Sequence, residues 1–232
     1  MNIMFFGAHP DDIEILCGGT AAKYVKSGHK VTYCIMTDGQ ICSQKISNEE
    51  LATIRKQEAE AAAAIVGAEV MFLDYKDEML FDNEQTRLRV LEAILEIRPD
   101  VIITHSEKDY ALDHRVTGDL VIAVVPMAVL NNCYSKLPCL QKHPVIYMMD
   151  TVAGVDFLPT EYVDISEEME IKIKAALCHK SQVEAFDDLH FDFAELINAQ
   201  SRFRGLQAGV RFAEAFQKLN NWYSGVTKRY LP

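Results

Sequence analysis

The strongest constraint on the fold is an alternation of short β-rich runs with longer helix-period segments through the first two thirds of the chain. Residues 2–7 (NIMFFG) read as a buried strand, 14–27 as a helix ended by Gly28, and 30–37 (KVTYCIMT) as a second strand. An Ala- and Glu-rich helix over 48–66 follows, with Gly67 as its C-cap and a strand at 69–75 after it. A helix at 84–98 is stopped by Pro99, a strand covers 100–105, and a helix kinked at Pro126 runs from 113 to 132. Strands joined through helices lie parallel in one sheet covered on both faces. The expected fold is α/β: a Rossmann-like, mostly parallel sheet with strand order of the 3-2-1-4 type.

The last third reads differently. Strands are expected at 144–150 and 161–165, and Ser166 followed by Glu167 and Glu168 reads as a helix N-cap with acids in the first turn. Helical patterns then run over 167–186, 192–203 and 209–223. No linker, repeat or low-complexity stretch interrupts the sequence, so residues 1–232 are read as one domain.

Composition excludes several classes. Hydrophobic residues at 49% and charged residues at 25% are globular proportions. With 23 basic and 34 acidic side chains the net charge is −11, which argues against a protein built to grip nucleic acid. The six cysteines (17, 34, 42, 133, 139 and 178) include no C-x-x-C pair and read as reduced thiols of a cytoplasmic protein. The N-terminus lacks a basic region, and the longest apolar stretch, 120–130, is interrupted by Pro126, so neither signal peptide nor membrane span is expected.

In an open α/β sheet, ligands bind beyond the carboxyl ends of the strands. The first strand ends in Gly7-Ala8-His9-Pro10-Asp11-Asp12-Ile13-Glu14, without the G-x-G-x-x-G pattern of a dinucleotide site. Buried carboxylates in such a loop must be paired or bind a metal. The fourth strand ends in Thr104-His105 and is followed by Asp109-Tyr110-Ala111-Leu112-Asp113-His114. If those strands are neighbours, His9, Asp12 and His114 can converge as a two-histidine, one-carboxylate set, which suits zinc or non-haem iron(II). Asp113 reads as the partner that fixes the His114 ring.

These residues carry a resemblance. A-H-P-D-D-I-E at 8–14, G-G-T at 18–20, T-D-G at 37–39 and D-H-R-x-x-G at 113–118 resemble the LmbE-like/PIG-L family of metal-dependent de-N-acetylases. R-K-Q-E-A (55–59), D-Y-K-D (74–77), H-K-S-Q (179–182) and R-F-A-E-A-F (211–216) extend it along nearly the whole chain.

The resemblance implies a zinc or iron(II) hydrolase acting on a small N-acetylated substrate, an amino sugar or its conjugate, and commonly a homo-oligomer. It places His9, Asp12 and His114 as ligands and Asp11 as general base, with Glu14 opening the following helix. Arg55, at a helix start, and Asp77 match positions that contact substrate hydroxyls in relatives. Asp38 is assigned to the same pocket beside its reading as a turn residue, and His105 reads as a group supporting the ligands from behind or lining the pocket, rather than a ligand. The family's H-x-D-H pattern is broken, because Ala111 stands where an oxyanion-stabilising histidine is common; Tyr110 and His179 are the substitutes considered. Ala111 keeps open a metal-binding homologue with weak catalysis. A thiol hydrolase using Cys17 is a distant alternative, and a serine hydrolase lacks its G-x-S-x-G elbow.

Overall fold

Apolar runs too short for helices form the centre of the sheet. The computed structural model describes residues 1–43, 45–220 and 230–232. Five strands, β1 (Asn2–Gly7), β2 (Lys30–Thr37), β3 (Glu69–Tyr75), β4 (Val101–Thr104) and β5 (Val145–Met149), pair in parallel. Between and after them lie α1 (Asp12–Lys26), α2 (Asn48–Val66), α3 (Glu84–Ile97) and α4 (Leu112–Val124). The chain then forms β6 (Glu161–Asp164), α5 (Met169–Ala176), α6 (Lys180–Asp188), α7 (Phe193–Ala208) and β7 (Ala213–Lys218). Strand order is β3-β2-β1-β4-β5-β7-β6, so β1 and β4 are neighbours, as the 3-2-1-4 order requires. Alternate residues of β1 feed two cores. Ile3 and Phe5 pack with Tyr24, Tyr33 and Phe216; Met4 and Phe6 pack with Leu91, Ile94 and Val121.

The C-terminal third departs from the expected helices. The segment expected as a helix over 209–223 contains β7, which pairs antiparallel with β5 and β6; residues 221–223 lie outside the described residues. Ala213 and Ala215 face one side of β7 while Glu214 reaches the other, a period of two that the two alanines disguise as helix propensity. The expected 167–186 helix is two helices, broken between Leu177 and His179. Ser166 does not cap: its hydroxyl bonds the Asp164 carboxylate at 2.6 Å, and α5 begins three residues later. Helix α4 ends at Val124, short of 132, because Pro126 has no N–H to continue it. Helix α7 continues past 203 to a left-handed Gly209 (φ 74).

Helix α1 is itself broken. Cys17 has non-helical dihedrals (φ −148, ψ 20), which frees backbone donors in the middle of a buried helix. The Glu214 carboxylate accepts the N–H of Gly19 at 2.9 Å and of Thr20 at 2.7 Å, and Lys172 Nζ pairs with it at 2.5 Å. The G-G-T motif is thus a second helix start, capped from β7. Among the described residues, no helix is long and apolar enough to cross a membrane.

Candidate metal centre

The turn from β1 into α1 carries His9 to Asp12, and the adjacent β4 delivers α4, whose first turn carries His114. Gly118 makes this approach possible: a Cβ there would lie 2.6 Å from the His105 carbonyl oxygen, so only glycine lets α4 pack so tightly on the end of β4. The result brings His9, Asp12 and His114 together. His114 Nε2 lies 3.2 Å from His9 Nδ1 and 3.2 Å from Asp12 Oδ1, and His9 Nδ1 lies 3.5 Å from Asp12 Oδ2. Ligands at 2.0–2.1 Å from a tetrahedral ion are separated by about 3.3–3.4 Å. The donor set therefore fits a small divalent cation in chemistry, and the His9–His114 and His114–Asp12 separations match the spacing.

The far nitrogens of both rings are held by carboxylates. His114 Nδ1 is 2.9 Å from Asp109 Oδ2, and His9 Nε2 is 3.2 Å from Asp77 Oδ1 and 3.8 Å from Asp113 Oδ2. This is how metal-binding imidazoles are oriented. Asp113, expected to fix His114, instead accepts the backbone N–H of Glu78 at 2.9 Å and of Leu80 at 3.4 Å, tying the loop after β3 to α4. In a helix the side chain next to His114 points away from it, whereas Asp109 folds back from the preceding turn. Burial alone would push both rings down in pKa. Asp12, with Asp77 for His9 and Asp109 for His114, outweighs it, lifting His9 well above the usual imidazole range and His114 to about 9. The Asp12 carboxyl is buried too, yet the surrounding imidazoles of His114, His105 and His9 hold it well below its usual value.

Among the described residues, two other acid–histidine groups lie close by, His105-Asp109-His114 and His9-Asp77-Glu78. In the first, every residue is buried, and His105 Nε2 is already 3.0 Å from the Ala8 N–H and 3.1 Å from Asp12 Oδ2. His105 stacks on His114 with ring centroids 4.0 Å apart, and burial beside His114 pushes its pKa down to about 4. It braces the site from beneath and is fully buried. The His9-Asp12-His114 set is opened to the outside by half-buried His9.

Asp11 is buried beside the ligands, its Oδ1 accepting from Arg55 Nη2 at 2.8 Å and its Oδ2 from Gln182 Nε2 at 2.8 Å. Arg55 was expected at a helix start among substrate contacts; it lies two turns into α2, 1% exposed, and faces Asp11. Asp77 also accepts the Ile41 N–H at 3.2 Å. Asp38 accepts the backbone N–H of Gln40 at 3.2 Å, which fits its turn reading, and that of Asp77 at 3.2 Å, which also joins the loops after β2 and β3. Glu14 lies in the first turn of α1, as expected, but is buried there, with an oxygen 3.4 Å from His179 Nε2. The His179 ring is itself fully buried. Tyr110, by contrast, is 66% exposed next to Asp109. Ala111 is the N-cap of α4: its N–H is given to Asp109 at 3.0 Å and its carbonyl accepts the Arg115 N–H at 3.2 Å. Cys17 is buried at the α1 break, and burial pushes its thiol well up, which opposes a thiolate nucleophile.

Asp109 and Gln182 are site residues that the motif pattern did not single out. Asp109 had a weak signal, an acid one helical turn before the D-H pair. Gln182 lay within H-K-S-Q but is 171 positions from Asp11, a separation that only the folded chain closes.

Comparison with known proteins gives the same picture. The PIG-L family, described as GlcNAc-PI de-N-acetylase, matches residues 4–125. A diacetylchitobiose deacetylase of Thermococcus kodakarensis is 29% identical over 228 residues, covering 93% of this chain and 82% of that protein. The N,N'-diacetylchitobiose deacetylase structure from Pyrococcus horikoshii superposes with a TM-score of 0.85 at 28% identity, over 97% of this chain and 86% of that one. The 4-carboxy-2-hydroxymuconate hydratase from Pseudomonas putida also gives 0.85, at 21% identity over 99% of this chain and 100% of that one, a likeness of fold alone. The match over 4–125 takes in the His9-Asp12-His114 set and just over half of the 232 residues: the chain belongs to the PIG-L family.

Proposed function

We propose that this protein is a metal-dependent N-deacetylase that removes an acetyl group from an amino sugar or amino-sugar conjugate. The observation that carries this reading is the juxtaposition of the His9-Asp12-His114 set with a buried carboxylate, Asp11, on the adjoining residue. The deacetylases among its relatives support it. A divalent cation, assigned as zinc with iron(II) also suited, would be held by His9, Asp12 and His114 and would supply Lewis-acid polarisation of the acetyl carbonyl and acidification of water.

The chain's own groups do the rest. Asp11 takes the proton of the attacking water as oxygen bonds the acetyl carbon, then gives it to the nitrogen as the C–N bond breaks and acetate leaves. Asp77 and Asp109 hold the two imidazoles against rotation. Tyr110, on the exposed rim, is assigned to the carbonyl oxygen in place of the histidine that Ala111 replaces. Six free cysteines fit a reducing cytoplasmic setting, and exposed Met79, Phe81 and Tyr134 fit a homo-oligomer.

The test is acetate release from N-acetylglucosamine, N,N'-diacetylchitobiose and aryl N-acetylglucosaminides by zinc-loaded protein. Release that is lost on chelation and in Asp11→Asn is expected. Stoichiometric metal with no release from any of these substrates would favour a binding protein.

A further inference from the structure

Two of the weaker sequence motifs, R-K-Q-E-A on α2 and H-K-S-Q at the start of α6, meet at Asp11. Its two carboxylate oxygens each receive one charged or amide donor, Arg55 Nη2 and Gln182 Nε2, both at 2.8 Å. A guanidinium and an amide NH₂ can only donate here, so the pairings are unambiguous. One donor on each oxygen fixes the rotation of the carboxylate plane, which a single bond would not.

Both donors are themselves anchored. Arg55 Nη1 donates to the Gly39 carbonyl at 3.1 Å, and Gly39 is in the left-handed region (φ 62) where a Cβ would lie 2.5 Å from that guanidinium nitrogen. The T-D-G motif is therefore the seat of the arginine. Gln182 is carried by the first turn of α6, which is held to α2 by Glu58: its Oε1 accepts the Ser181 N–H at 2.9 Å and its Oε2 the Ser181 hydroxyl at 2.6 Å. Glu58 is three residues after Arg55, on the same face of α2. One helix thus supplies the first donor and the anchor of the second.

We propose that Gln182 and Arg55 are positioning residues that clamp Asp11 in the orientation from which it handles the proton. This rests on the reading of Asp11 as general base. The clamp explains why a buried arginine and a half-buried glutamine both face an aspartate that a single ion pair would satisfy. It also gives the broken 167–186 helix a purpose, because the break at Leu177–His179 is what aims the start of α6 at Asp11.

A double-mutant cycle on the full-length, zinc-loaded protein tests it. Gln182→Leu is expected to lower kcat about 10- to 100-fold with KM changed less than about twofold and metal content unaltered. In an Asp11→Asn background the same substitution is expected to change the residual rate less than about twofold, because its effect acts through Asp11. Losses that multiply in the double variant, or a loss confined to KM, would overturn the clamp. Arg55→Lys is read in the same way and serves if Gln182→Leu does not fold.

Wild-type protein without acetate release would sink the functional reading, and the clamp is then decided by the urea midpoints of the same four proteins. Midpoint shifts that fail to add support it; additive shifts overturn it.

Discussion

At His114 two demands fall on one ring: Nε2 must face the metal position while Nδ1 is held so that the ring cannot turn away. Asp109 meets the second at 2.9 Å. Removing an outer carboxylate of this kind weakens metal binding about 10- to 100-fold. Asp109→Ala should therefore show that loss in competition with a chromophoric chelator; unchanged affinity would mean that the stacked His105 alone orients the ring. Tyr110→Phe should lower kcat about 100-fold with metal affinity intact, the scale of one lost oxyanion donor. An unchanged kcat would leave the cation alone at the carbonyl oxygen. The meeting of His9, Asp12 and His114 was legible at this scale because aspartate and histidine at strand ends have few inexpensive structural roles. The partners of those ligands were not: Asp113 and Asp109 differ only in which side of the α4 start they leave, a matter of helix geometry.

At the scale of elements, α1 depends on a strand 195 positions away for its second start. Glu214→Ala would leave Lys172, 1% exposed, without its counter-ion and Gly19 and Thr20 without an acceptor. Breaking a buried pair from one side costs about 3–5 kcal/mol, which a urea unfolding series would register. The paired replacement Lys172→Met with Glu214→Leu should cost less, since no unpaired charge remains. Equal losses in the single and paired variants would contradict the account. The parallel strands were readable because apolar runs bounded by helices have one good solution. Helix propensity misled at β7, where alanines in A-E-A-F sit on a strand buried between β5 and β6. The break between α5 and α6 had no local signal either, since it is imposed by contacts of His179, Ser181 and Gln182 with α1, the β1–α1 turn and α2.

For the whole molecule, the net charge of −11 is unevenly spent. Asp11, Asp12, Asp77, Asp109 and Asp113 are buried around one site, and others bind the fold's edges together. Asp100 is such a case, accepting from the Asn2 N–H at 3.0 Å and Lys142 Nζ at 2.7 Å. Partial burial pulls its carboxyl up, but these two donors prevail and hold it below the usual range. A depressed carboxyl stabilises the fold fully above the unfolded value of about 3.9 and progressively less as pH falls through the folded value. With Lys142 largely exposed, the contribution is about 0.5–1 kcal/mol after allowance for screening. The gap in urea midpoint between wild type and Asp100→Ala should be constant from pH 7 to 5 and narrow below about 4; a gap that widens on acidification would be the wrong sign.

The central claim, that His9, Asp12 and His114 hold one divalent cation beside a catalytic Asp11, is tested most directly by native mass spectrometry of metal content. Wild type and Asp11→Asn should each carry about one zinc per chain, while His9→Ala, Asp12→Ala and His114→Ala carry little or none under the same loading. Full occupancy in all three ligand variants would place the metal elsewhere and contradict the account.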